Sequence, residues 1–157
     1  MNALLIDALI ALQCFVVVFI ALHDWIALGP LNHLEAVRRS DPTSKLIMVT
    51  FLSTLPFAIG LAASLVYVPK GWPEWLMWWL WVSYGLAAYG ALRAWWIPYL
   101  LVEEPARAAR YQIRFAGTHS FLPTHNGIRP DTLHCVLHGA ILAILLLLVI
   151  ASHHGHF

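Results

Sequence analysis

Residues 131–152 read DTLHCVLHGAILAILLLLVIAS. From Ala140 to Ala151 every residue is apolar, and no Lys, Arg, Asp or Glu follows Asp131 within the run. A helix crosses the hydrocarbon core of a bilayer with about 20 predominantly apolar residues, so this run is long enough to span. Pro130 stands just before it, and Asp131 is placed to accept from the free N–H groups of the first turn. The same first turns hold two polar rings. His134 and His138 are four residues apart, a spacing that puts both on one helix face.

The rest of the chain fits the solvent that this run implies. Of 157 residues, 61% are hydrophobic and only 11% are charged, where a soluble domain carries roughly 25% charged residues. Too few polar groups exist to cover a water-facing surface, and no basic tract suits nucleic acid. Three more segments reach spanning length: about 3–28, stopped by Gly29-Pro30; about 44–68, between "SDPTS" and Pro69; and about 74–102, opening on the tryptophan-rich "WPEWLMWWLW". With 131–152 they predict an all-α membrane protein, a single four-transmembrane-helix bundle with short interfacial helices in its cytoplasmic loops. Cys14 and Cys135 both fall inside apolar runs, which argues against a disulfide framework.

Basic residues set the expected orientation. Arg38, Arg39 and Lys45 lie in or beside the first loop, and Arg107, Arg110, Arg114 and Arg129 in the third. The second loop has only Lys70, so the positive-inside rule puts the first and third loops in the cytoplasm and both termini on the other side. A multi-pass place in a bacterial inner membrane is the expected location. Although "LIALQC" hints at a cleaved leader, no Lys or Arg precedes the apolar run, which continues past Cys14; a span is the expected reading. "EEPARAARYQIRFAG" reads as a helix whose three arginines share a face, either lying on the inner leaflet or continuing the third helix. "PLNHLEAVRR" reads as another brief helix, and Asn126-Gly127 as a turn.

With this orientation, polar residues gather in the cytoplasmic half. His23 and Asp24 lie near the end of the first span, Thr50, Ser53 and Thr54 early in the second, Arg93 and Trp96 late in the third, and His134 and His138 early in the fourth. His23, His134 and His138 can supply three nitrogens to a metal ion, with Asp24 as fourth ligand or as the group behind a ligand. Zinc accepts that set in tetrahedral geometry, and iron accepts histidine with carboxylate. The alternative is that each ring pins helices by bonding a hydroxyl or carbonyl. Arg93 must be paired or wetted at that depth. Asp24 is the expected partner, with Tyr89 and Trp96 as neighbouring rings, and Arg93, Trp96 and Ser53 form the expected contacts to a cofactor or anionic group. The tail histidines His153, His154 and His156 form a second, outer cluster near Asp7.

Three histidines with Asp and Ser nearby resemble, in chemistry alone, the membrane-embedded zinc hydrolases of the ceramidase type, which have more spans than this chain. A facing pair such as His23 with His138 is similarly reminiscent of haem-binding four-helix cytochromes. The expected function is therefore a membrane protein with a cytoplasm-side histidine pocket for zinc, iron or haem, acting as an enzyme or redox module. The alternatives are an accessory packing subunit or a small oligomeric transporter. Expected partners are the lipid bilayer and further copies or other membrane subunits.

Overall fold

The computed structural model describes residues 3–153, so His154 and His156 of the expected outer cluster lie outside the described residues. Seven helices follow one another: α1 (Ala3–Leu22), α2 (Leu34–Ser40), α3 (Thr43–Tyr67), α4 (Glu74–Ala91), α5 (Ile97–Leu100), α6 (Pro105–Arg114) and α7 (Thr132–His153). Single 3₁₀ turns stand at Gly29–Leu31 and Val68–Lys70, and a π turn, Leu92–Trp96, joins α4 to α5. Among the described residues there is no strand, only one isolated bridge between His125 and Ile128.

α1 packs on α3 and α7, and α4 packs on the same two helices, so the four long helices close a ring. Inside it lie Leu9 and Val16 of α1, Phe57 of α3, Leu76, Leu80 and Tyr84 of α4, and Ile141, Ile144 and Leu148 of α7. Outside it the same helices expose large apolar side chains, among them Val18, Phe51, Leu52, Val82, Leu86, Leu142 and Leu146. A ring greasy on both faces is stable in lipid and not in water. Cys14 and Cys135 are both free thiols.

Among the described residues, three helices are long and apolar enough to cross a membrane: Ala3–Leu22, Thr43–Lys70 and Thr132–His153. The second and fourth expected spans match the last two of these within a residue or two. α4 is not among the three. It is 18 residues long, begins with Glu74 and carries Trp75, Trp78, Trp79 and Trp81 with Tyr84 and Tyr89, and the charge of Glu74 with those indoles and phenols lowers its mean hydropathy. Its helical path nevertheless continues through the π turn to Leu100, close to the expected end at 102.

The first span needs correction. Helix α1 stops at Leu22, six residues short of the expected end at Leu28, ahead of the Gly29-Pro30 signal. The stop is imposed from outside by one amide. Asn32 Oδ1 accepts from the N–H of Leu28 at 2.8 Å. Its Nδ2 donates to the carbonyls of His23 at 2.6 Å and Ile26 at 2.8 Å. Backbone groups that would have extended the helix are thereby satisfied in an irregular loop.

Candidate functional site

The end of the ring that carries the arginine-rich loops gathers side chains from every long helix. Because α1 stops at Leu22, His23 and Asp24 sit at its mouth. The His23 ring stacks on Phe19, with centroids 5.0 Å apart, and its Nδ1–H donates to the Phe19 carbonyl at 3.0 Å. That bond leaves Nε2 facing Asp24, 3.5 Å from its Oδ1. Trp25 closes the loop by donating its indole N–H to Thr50 Oγ1 at 3.1 Å.

The second contributor is the π turn, and its cause is Pro98. A proline has no N–H for the carbonyl four residues back, and its ring crowds that oxygen. The wider π turn absorbs the misfit and shifts the helix register by about one residue. The freed Ala94 carbonyl is taken up by α6: Tyr111 OH donates to it at 3.0 Å and Arg107 Nη1 at 3.4 Å. After the shift, Trp95 is 5% exposed and half-buried Trp96 faces α7. Trp95 is the centre of an aromatic cluster, with centroid distances of 4.5 Å to Tyr111, 4.8 Å to Phe115 and 4.5 Å to His134. This docks α6 as a separate helix rather than a continuation of the third.

The third contributor is the start of α7. Asp131, 2% exposed, accepts the backbone N–H of His134 at 2.8 Å, which is the cap expected from sequence. The same carboxylate also accepts His134 Nδ1–H, at 2.9 Å to Oδ2. One side chain thus caps the helix and holds the imidazole by its Nδ1–H, so that in the neutral ring the lone pair is on Nε2. Around that ring stand Phe115 at 5.2 Å, His23 edge-on at 6.0 Å and His138 at 6.1 Å. His138 is buried, and its Nδ1 accepts the Trp96 indole N–H at 3.2 Å; its own proton is then on Nε2.

Arg114 of α6 ties the cluster to the first loop. Its Nη2 bonds Asp24 Oδ2 at 3.0 Å, and its Nη1 bonds Asp41 Oδ2. Asp41 also accepts from Lys45 at 2.5 Å. The Lys45 ammonium, chiefly, holds the Asp41 carboxyl below the usual carboxylate range; burial opposes it, and the charge of Arg114 adds a smaller lowering effect.

Three expectations are overturned by this geometry. Arg93 does not meet Asp24: it reaches outward to Glu104 at 2.6 Å, half of its side chain exposed, because Arg114 already occupies Asp24. Ser53 is exposed on α3 and takes no part in the cluster. His23 neighbours His134, not His138, which is turned toward Trp96 by the indole bond. His23, Asp24, Trp96, His134 and His138 are brought to one end. Asp131, Arg114 and Trp95 were not expected there as site residues, although "RAWWIP" carries a signal in its paired indoles ahead of a helix-interior proline.

Among the described residues, no group of three His, Cys, Asp or Glu side chains is arranged to hold a metal ion. His138 presents its lone pair to Trp96, and Asp24 turns one of its two carboxylate oxygens to Arg114. The arrangement can instead accept and return a proton. His134 has its Nδ1–H held by the Asp131 carboxylate, the relation by which a carboxylate orients a catalytic imidazole, and in the neutral ring Nε2 is the basic nitrogen; His23 stands beside it with Nε2 turned to Asp24. No family model matches the chain, and no characterised protein or solved structure is significantly similar to it.

Proposed function

We propose that this chain is a four-span membrane protein, an acid–base enzyme whose site on His134 and His23 lies at the cytoplasmic end of the bundle. On this reading both termini are on the non-cytoplasmic side of a bacterial inner membrane, and the substrate is an amphiphile reaching the site from the adjoining leaflet. Support for the fourth span comes from the closed ring of helices and from the rod formed by α4, the π turn and α5, roughly 40 Å long at 1.5 Å per residue. The exposed Trp75, Trp78 and Trp79 at its start suit the opposite membrane interface. Ile113 and Phe121, exposed beside the arginines, suit the near one.

The observation that carries the proposal is the double use of Asp131. A cap needs only one bond to a backbone N–H. The second bond, to Nδ1 of His134, adds nothing to helix capping but sets the imidazole up as a base. A zinc, iron or haem centre that used His138 would first require breaking the Trp96–His138 bond.

Reaction with diethyl pyrocarbonate tests the proposal, because it acylates an unprotonated imidazole nitrogen. The protein is treated in lipid vesicles and its histidines are compared by peptide mass spectrometry. The expected result is modification of His134 despite its partial burial, slowed when Asp131→Asn replaces the carboxylate. An inert His134, while exposed His33 and His119 react, would remove the acid–base reading. It would favour the packing role, to which the Arg114 network by itself is sufficient.

A further inference from the structure

Beside the histidine cluster, on the other side of Arg114, a cavity of about 570 Å³ opens between α2, the start of α3 and α6. Arg39, Lys45, Arg107, Arg110 and Arg114 line it, and Asp41 is its only carboxylate. Such a volume lies in the range of small-molecule sites. Three of the cations come from α6 at spacings of three and four, so they share a face, while the adjoining face of α6 is fixed on Trp95 through Ala108, Tyr111 and Phe115. The fold therefore holds these like charges together, well within a Debye length of one another.

Their partners are unevenly distributed. Lys45 and Arg114 share Asp41, whereas Arg39 is drawn to Glu35 at 3.0 Å and Arg107 to Glu104 at 2.8 Å, neither acid lining the cavity. Arg110 has no partner among the described residues. An anion entering the cavity would meet the free guanidinium of Arg110 and compete with Asp41 for two more cations.

We infer that this cavity binds a phosphate group, free or carried on a lipid headgroup. Guanidinium forks pair with phosphate oxygens through parallel charge-assisted hydrogen bonds, and the surrounding positive field draws a multiply charged anion in preference to a carboxylate. Tyr111, also in the lining, offers an aromatic wall. The inference stands apart from the acid–base reading, since the cations and not the histidines hold the ligand. It also places Arg114 in both sites, bonded to Asp24 on one side and facing the cavity on the other.

The test uses the full chain in phosphatidylcholine nanodiscs. In one arm inorganic phosphate is titrated by calorimetry; in the other, phosphatidic acid is included in the discs and lipid retention is read by native mass spectrometry. Saturable binding is expected in at least one arm. Phosphate binding in the first identifies a free phosphate-sized ligand, and retention in the second alone identifies a lipid head. Arg110→Gln removes no bond of the fold and should weaken binding roughly tenfold, the loss of one charge-assisted contact. Asp41→Asn should strengthen it by freeing Lys45 and Arg114. No binding in either arm, or binding that R110Q leaves unchanged, overturns the inference. A His134→Ala protein that still binds phosphate shows that the two sites fail independently.

Discussion

Arg114 and Asp24, 90 positions apart in sequence, are joined at 3.0 Å across the mouth of the helical ring. The pair fastens α6 to the end of α1, and through Asp41 the same guanidinium fastens both to the loop before α3. Asp24→Asn or Arg114→Gln alone should each cost about 2 kcal/mol, the scale of a charge-assisted bond whose partner is left partly buried. The double variant should cost clearly less than the sum. Arg114→Lys should rescue poorly, because a single ammonium cannot reach two carboxylates as a fork does. Unfolding in mixed detergent measures all four. Additive losses would show that the pair does not couple, while Arg93→Gln with Asp24→Asn should be additive.

Pro98 predicts its own experiment. Pro98→Ala restores an N–H for the Ala94 carbonyl and lets the α-helical register compete with the π turn. Trp95 and Trp96 should then rotate away from His134 and His138, changing the near-ultraviolet circular dichroism of the indoles. Tyr111→Phe, which removes one bond to the same carbonyl, should cost about 1 kcal/mol and leave the register unchanged. An unaltered spectrum in P98A would mean that the proline does not set the turn.

The turn at Asn126-Gly127 was legible from its two residues, and its environment adds a second constraint. Gly127 has φ 72°, and a Cβ there would lie 2.9 Å from Ala108 Cβ on α6. Gly127→Ala should therefore destabilise by about 2 kcal/mol, from backbone strain and overpacking together. Adding Ala108→Gly should recover the packing part alone. Full recovery would show that the left-handed backbone costs nothing here.

Much of the fold could be read from local pattern, and much of the site could not. Apolar runs gave the second and fourth spans, because helix ends there are marked by proline and by the Asp131 cap. Helix α1 ended early because a single amide, Asn32, satisfies its loop from downstream, which no local signal announces. Arg93 was matched to Asp24 by depth alone. The true partner, Arg114, reaches Asp24 only because α6 docks on Trp95, and Trp95 faces α6 only after the π turn has changed the register. His138 was expected to face inward and does, but its partner is an indole and not His23.

Acid should weaken the loop network in a defined window. Asp41 has its folded pKa depressed, chiefly by Lys45 and then by Arg114. Its stabilising contribution is complete above the unfolded value, about 3.9. It is lost as pH falls from there through the lower folded value. Stability measured against pH should fall below about 4, and Asp41→Asn should flatten that part of the curve. An unchanged slope in D41N would assign the acid sensitivity elsewhere.

Nitrogen NMR of ¹⁵N-histidine-labelled protein in lipid tests whether Asp131 presents His134 as a base. At alkaline pH, where the imidazole is neutral, His134 should show a protonated Nδ1 and an unprotonated Nε2. In Asp131→Asn that preference should weaken or reverse. His138, accepting from Trp96, should show the opposite tautomer in the same sample. A His134 with its proton on Nε2, or a tautomer that D131N does not change, would mean that Asp131 does not set up the ring as a base.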